Sequence, residues 1–230
     1  MVSAIIINIA LTLGVAALIV PASKRLPTQN QFLMLLGGYL FWPAILFQLN
    51  VALGAETNAM SLWAALCGAG LVLSAVCLRF QLEIYPLHSR LKWSLMAAMI
   101  AVFYLGIESL YLSWVDPPKQ HFLELALQSS VGTMMVLILF VVVLAPLVEE
   151  TLFRGLLYTA LAEKLPPAAT ILISGAVFGL VHLEVPALMP MLVILGWILG
   201  WLRYKSGSIV PPLILHMVNN ALAVLFTMMD

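Results

Sequence analysis

The chain alternates long apolar stretches with short polar breaks, a pattern typical of membrane-spanning helices. Crossing the hydrocarbon core of a bilayer takes about 20 mostly apolar residues in a helix. Gly, Pro or charged residues separate most of the stretches that approach this length, at about 3–20, 32–53, 60–78, 93–113, 130–147, 168–185, 186–204 and 209–228. The pattern predicts an all-α integral membrane protein, a bundle of about eight transmembrane helices. Residues 148–164 are less apolar and are predicted to continue the fifth helix.

The connections between these stretches are too short to hold a soluble domain, so residues 1–230 are predicted to form a single polytopic membrane domain. The composition agrees, because 63% of the residues are hydrophobic and 9% are charged, whereas soluble domains are about half apolar and a quarter charged. Ten basic and ten acidic residues cancel, so no nucleic-acid partner is expected. The expected surroundings are the lipid bilayer.

The basic residues are distributed unevenly between the two sides of the predicted bundle. Nine of the ten follow or end an odd-numbered span, and only Lys119 lies on the other side. Because cytoplasmic loops of membrane proteins carry an excess of Lys and Arg, the N- and C-termini are both predicted to lie outside. The short chain and its short loops favour a prokaryotic plasma membrane.

Ionisable side chains inside membrane segments are costly and mark candidate functional sites. The first such cluster is Glu149-Glu150, which follows Pro146 and precedes Arg154. Glu150 and Arg154 are spaced i,i+4, so they share a helix face and can pair. Glu149 lies about 140° round the helix from Arg154 and is left to face something else. The structural alternative is an interfacial helix end with a salt bridge.

The second candidate is His182, at the end of the segment Phe178-Gly-Leu-Val-His182. If residues 147–163 and 168–183 form an antiparallel hairpin, Glu149 and His182 lie level, about 22 Å from the turn. A carboxylate and an imidazole can then meet. The structural alternative is a histidine that is satisfied within the apolar core.

The third candidate pair is His216 and Asn220, which are spaced i,i+4 in the last predicted span. They are either two donors aimed at a developing oxyanion or polar contacts to a neighbouring helix. Two further features are expected to be structural. Glu108 lies near the end of the fourth span, and the GxxxG segment Gly196–Gly200 is typical of close helix packing.

Taken in this order, the three motifs resemble the signature of the CPBP family, which comprises CAAX proteases and bacteriocin-processing, immunity or abortive-infection (Abi) proteins. That signature is EExxxR, then FxxxH, then HxxxN or HxxxD, each on a membrane helix. In this chain the motifs occupy residues 149–154, 178–182 and 216–220. The match lies within residues 146–222, and although each motif is weak alone, three in this order are specific.

The resemblance implies a hydrolase, a glutamate-dependent intramembrane endopeptidase that cleaves a membrane-associated peptide or protein. Carried onto this chain, Glu149 would be the general base that activates a water molecule, and His182 would help to hold that water. His216 and Asn220 would form the oxyanion site. The resemblance implies no cofactor and no metal. The supporting residues would be Glu150, Arg154 and Phe178.

Three other functions stay open at this point. Glu149, His182 and His216 could be ligands of a zinc ion in an intramembrane metalloprotease. The motifs could instead hold helices together in a non-catalytic membrane scaffold or immunity protein. A small transporter with a Glu149–His182 proton relay is the third alternative. The oligomeric state is left open.

Overall fold

The computed structural model of the protein describes residues 10–15, 26–52, 91–115, 131–182 and 186–229. All regular secondary structure in these ranges is helical, and they contain no strand. The prediction of an all-α fold is confirmed. The expected span at 60–78 lies outside the described residues, as does most of the expected span at 3–20.

The chain divides into two compact units, Met1–Glu83 and Ile84–Asp230. In the first unit, helix α1 runs over Thr28–Ala52 and contains Pro43. The Trp42 indole there donates a hydrogen bond to Thr12 Oγ1 across 2.9 Å. All candidate site residues belong to the second unit, and the expected single domain over 1–230 stays a prediction.

The second unit contains five further helices in its described part. They are α2 (Leu91–Val115), α3 (residues 131–162), α4 (Pro167–Leu180), α5 (Met189–Ser206) and α6 (Val210–Met229). Among the described residues, three helical segments are long and apolar enough to cross a membrane: Leu91–Val115, Met134–Ala162 and Val210–Met229. The protein is thus a helical membrane protein, whereas the count of eight spans stays a prediction.

Helix α3 is one long helix built from five successive segments. They are Val131–Leu139 (α), Phe140–Leu144 (π), Ala145–Glu150 (α), Thr151–Leu157 (π) and Tyr158–Ala162 (α). The expected continuation of the fifth helix beyond residue 147 is confirmed, and both acids lie near the middle of the apolar span. Pro146 sits in the first turn of the central α segment, where the preceding wide π turn accommodates a residue without an N–H.

Helix α4 is shorter than the span expected at 168–185, because it ends at Leu180 after 14 residues. At about 1.5 Å per residue it rises about 21 Å, less than the roughly 30 Å hydrocarbon core. The His182 ring is one cause of the early end. Its Nδ1 bonds to Phe178 O at 2.8 Å, and its main-chain N–H bonds to Gly179 O at 3.3 Å in a tighter turn.

Helix α2 is tied to the start of α5 by two tyrosine hydroxyls. Tyr104 Oη donates to Met191 O and Tyr111 Oη donates to Ala187 O, each across 2.8 Å. Helix α2 also packs along α6, and α3 packs against α4, α5 and α6. The second unit therefore surrounds the central segment of α3, where both acids lie.

Candidate active site

The two adjacent acids on α3 occupy different surroundings, as their helical spacing predicts. Glu150 Oε1 accepts a hydrogen bond from Arg154 Nη1 across 2.9 Å, and both side chains are fully buried. Arg154 Nη2 also donates to Gly196 O on α5, at 3.1 Å. Glu149 keeps 12% of its side chain exposed. The predicted Glu150–Arg154 pair is therefore confirmed, and Glu149 faces another group.

His216 on α6 lies between the two acids. Its Nδ1 donates to Glu150 Oε1 across 2.9 Å, and its Nε2 lies 3.7 Å from Glu149 Oε2. The direction of the first bond follows because an ionised carboxylate can only accept. Sequence spacing paired Glu150 with Arg154 alone, and the contact with His216 was missed because it joins residues on different helices.

His182 lies level with Glu149, as the hairpin argument predicts. The two atoms that approach are His182 Nε2 and Glu149 Oε2, which are 4.0 Å apart. Because the Phe178 carbonyl can only accept, His182 Nδ1 carries a proton and donates it there at 2.8 Å. In the neutral ring Nε2 then has a free lone pair that can accept a hydrogen bond. The side chain is 21% exposed.

Phe178 is fully buried and packs against both histidines. Its ring centroid lies 5.1 Å from that of His182 and 5.6 Å from that of His216. The Arg154 guanidinium lies 4.4 Å from the same ring, in a cation–π contact. Phe153 closes the cluster by an edge-to-face contact at 5.2 Å. One aromatic side chain thus restricts the positions of both imidazoles.

Close packing of α4 against α5 brings the Gly196 carbonyl to Arg154. A Cβ on Gly196 would lie 2.5 Å from Gly175 O, and a Cβ on Gly175 would lie 2.4 Å from Trp197 Cδ1. Neither glycine can carry a side chain without moving a helix. The expected role of Gly196 in helix packing is confirmed, and the packing is between two helices of this chain. Gly200 packs less tightly, because a Cβ there would meet Ile171 at an ordinary 3.5 Å.

The structure places the Asn220 amide against the main chain of α3. Its Nδ2 donates to Val141 O across 2.9 Å, in the first π-helical segment. The neighbouring Asn219 is buried, and within the described part of the chain its Oδ1 has no hydrogen-bond partner. Sequence reasoning passed over Asn219, although two successive amides in a membrane helix are a usable signal.

The convergence of Glu149, His182 and His216 suits proton transfer to and from a water molecule. Two imidazole Nε2 atoms approach one carboxylate oxygen, and the carboxylate is only partly exposed. Within the described ranges, no group of three His, Cys, Asp or Glu side chains has the arrangement of a metal site. The fold and this cluster together define a helical membrane protein with an intramembrane carboxylate–histidine site.

Comparison with known proteins shows a similarity that covers this region. Residues 131–222 match the family model for Rce1-like proteins, described as type II CAAX prenyl endopeptidase Rce1-like. All three motifs lie inside the match, so the resemblance stated from the sequence is confirmed over these residues. No solved structure matches the chain at a significant level.

Two curated relatives cover a similar share of the chain. An "Uncharacterized 24.3 kDa protein" of Escherichia coli is 30% identical over 131 residues, which are 55% of this chain and 60% of that protein. The "Putative membrane peptidase YdiL" of Bacillus subtilis (strain 168) is 24% identical over 136 residues, 58% of this chain and 54% of that protein. The chain thus spans less than two thirds of either relative.

Proposed function

We propose that this protein is a glutamate-dependent intramembrane endopeptidase that cleaves a membrane-associated peptide or protein. The observation that carries the proposal is the approach of two imidazole Nε2 atoms to Glu149 Oε2, at 3.7 Å for His216 and 4.0 Å for His182. A peptidase that uses water needs a base, a group that orients the water and a donor for the oxyanion. The cluster and Asn220 supply side chains of each kind.

In this mechanism Glu149 is the general base. A water molecule between Glu149 and His182 donates one proton toward the carboxylate and a second hydrogen bond to His182 Nε2. As the water oxygen attacks the peptide carbonyl carbon, Glu149 takes the proton. The carbon–nitrogen bond then breaks, and Glu149 returns the proton to the leaving amine. The products are a carboxylic acid and an amine, and no covalent enzyme intermediate forms.

His216 and Asn220 are proposed to stabilise the oxyanion. His216 Nδ1 is occupied by Glu150, so donation from Nε2 needs the doubly protonated, cationic ring. Glu149 and Glu150 flank that ring and balance its charge. Asn220 uses one amide hydrogen on Val141 O, and a primary amide has a second one for the oxyanion.

Glu150, Arg154 and Phe178 have supporting roles in this proposal. The buried Glu150–Arg154 pair holds His216 by a short hydrogen bond. Phe178 packs both imidazoles. The proposed location is a prokaryotic plasma membrane with both termini outside, and the substrate class follows from the position of the acids within an apolar span.

The first test is cleavage of a quenched fluorescent library of membrane peptides by the purified full chain in detergent. We expect Glu149→Gln to lower kcat by about 10²–10⁴-fold, the usual contribution of a general acid–base group. Glu163→Gln is the matched control, because Glu163 is an exposed carboxylate just beyond the end of α3. It should leave kcat unchanged.

A chelator arm separates the two hydrolytic mechanisms. Cleavage that persists in chelator and is lost in Glu149→Gln supports a metal-free glutamate mechanism. Cleavage that chelation abolishes and zinc restores would favour the metalloprotease. Cleavage equal in wild type and Glu149→Gln contradicts the assignment of Glu149, and no cleavage by wild type would favour the scaffold.

A further inference from the structure

Pro146 interrupts the main-chain hydrogen bonds of α3 just after its first π-helical segment. The Ala145 N–H donates to Phe140 O, five residues earlier, as a π-helical register requires. In that register the next donor, at position 146, would bond to Val141 O. Proline has no N–H. Val141 O is therefore left without its main-chain donor at this point of the helix.

The side chain of Asn220 takes the place of that donor. Its Nδ2 lies 2.9 Å from Val141 O and donates to it from helix α6. A carbonyl without a donor is costly inside a membrane protein. The missing N–H of Pro146 thus makes Val141 O an acceptor for a residue of another helix, and the proposed oxyanion residue is the one that uses it.

We infer that Pro146 is a positioning residue for Asn220, an inference that rests on the proposed function. The bond to Val141 O fixes the plane of the Asn220 amide and occupies one of its two hydrogens. The other hydrogen is then directed for donation to the oxyanion. Asn220 contacts the reacting atoms, and Pro146 acts through Asn220 by keeping a competing N–H away from Val141 O.

The test is a double-mutant cycle of Pro146→Ala and Asn220→Ala, read as kcat and KM of the full chain. Pro146→Ala restores an N–H that competes for Val141 O. We expect kcat at least about tenfold lower at unchanged KM, because a small misplacement of a catalytic group costs up to about 10²-fold in rate. Asn220→Ala should lower kcat by about 10²–10³-fold, and the double variant should be no slower.

Pro43→Ala is the matched control, because it also replaces a proline inside a helix, in α1. It should leave kcat within about twofold of wild type. An unchanged kcat for Pro146→Ala, or losses that multiply in the double variant, would overturn the inference. If the wild-type protein cleaves no peptide, the proposed function itself is contradicted. This outcome is seen before any variant is compared, so it is distinguished from a failure of the inference about Pro146.

The same four proteins are also compared by a measurement that does not depend on activity. Their unfolding equilibrium in sodium dodecyl sulfate is followed by circular dichroism. Asn220→Ala should raise the unfolding equilibrium constant about fivefold more in the wild-type background than in the Pro146→Ala background. This is the factor expected for one net hydrogen bond. Equal effects in the two backgrounds would show that the residues do not share Val141 O, and would overturn the inference.

Discussion

The Glu150 carboxylate and the Arg154 guanidinium together link three helices of the site. Glu150 Oε1 accepts from Arg154 Nη1 and from His216 Nδ1, each at 2.9 Å. The same guanidinium reaches Gly196 O on α5. Because the His216 Nδ1 proton is held by Glu150, the Nε2 atom is the one turned toward Glu149. Glu150 therefore sets the orientation of His216, while the Glu149 side chain stays partly exposed.

The different surroundings of Glu150 and Glu149 predict different losses of folding stability when each is replaced by glutamine. Glu150→Gln leaves the buried Arg154 without its counter-charge and should destabilise the protein by about 3–5 kcal/mol. Glu149→Gln removes a partly exposed carboxylate and should cost less than about 1 kcal/mol. The measurement is the free energy of unfolding in mixed micelles, with Glu163→Gln as the surface control. Equal losses of unfolding free energy in Glu150→Gln and Glu149→Gln would contradict these different roles.

At the scale of the elements, helices α4 and α5 pack closely through glycines. Gly175 and Gly196 meet main chain to main chain there, and the carbonyl of Gly196 accepts from Arg154 at 3.1 Å. The Trp197 indole adds a hydrogen bond to Leu172 O across 3.0 Å. The distance between these two helices therefore controls one of the contacts of the buried guanidinium.

A methyl group at this crossing should disturb both the packing and the site. Gly196→Ala should destabilise the protein by about 1–3 kcal/mol through overpacking and lower kcat as well. Gly106→Ala is the matched control, since a Cβ there meets nothing within 4 Å and alanine is the better helix former. Thermal unfolding of both variants checks the expectation, which fails if both behave alike.

At the scale of the molecule, apolar side chains cover the outward faces of the long helices in the described ranges. On α2, for example, Met99, Phe103 and Leu110 are 73%, 71% and 64% exposed. Exposed apolar surface of this extent marks lipid contact in a membrane protein. Glu163 and Lys164 lie in the exposed turn between α3 and α4.

The distribution of basic residues predicts which side of the membrane each end of the helices reaches. In a variant lacking Cys67 and Cys77, a cysteine introduced by Glu163→Cys should react with a membrane-impermeant maleimide only from the cytoplasm. One introduced by Met229→Cys should react only from outside. The reason is the excess of Lys and Arg on the cytoplasmic side. Labelling of both positions from one side would contradict the predicted orientation.

Much of the site could be predicted because its motifs use spacing along single helices. The i,i+4 rule paired Glu150 with Arg154, and the hairpin register placed Glu149 level with His182. The predicted length of α4 was wrong, because hydropathy does not register the competing hydrogen bond of His182 to Phe178 O. The two π-helical segments were missed for a similar reason, since apolar periodicity does not register a change in main-chain hydrogen bonding.

The sequence by itself determined the helical membrane class and which polar residues share a helix face. Both follow from local rules, because apolar length and helical spacing involve only neighbouring residues. Only the tertiary structure decided that His216 would lie between the two acids and that Asn220 would bond to Val141 O. These pairs are 66 and 79 residues apart, and their contact depends on how α3 and α6 pack together, which no local pattern encodes.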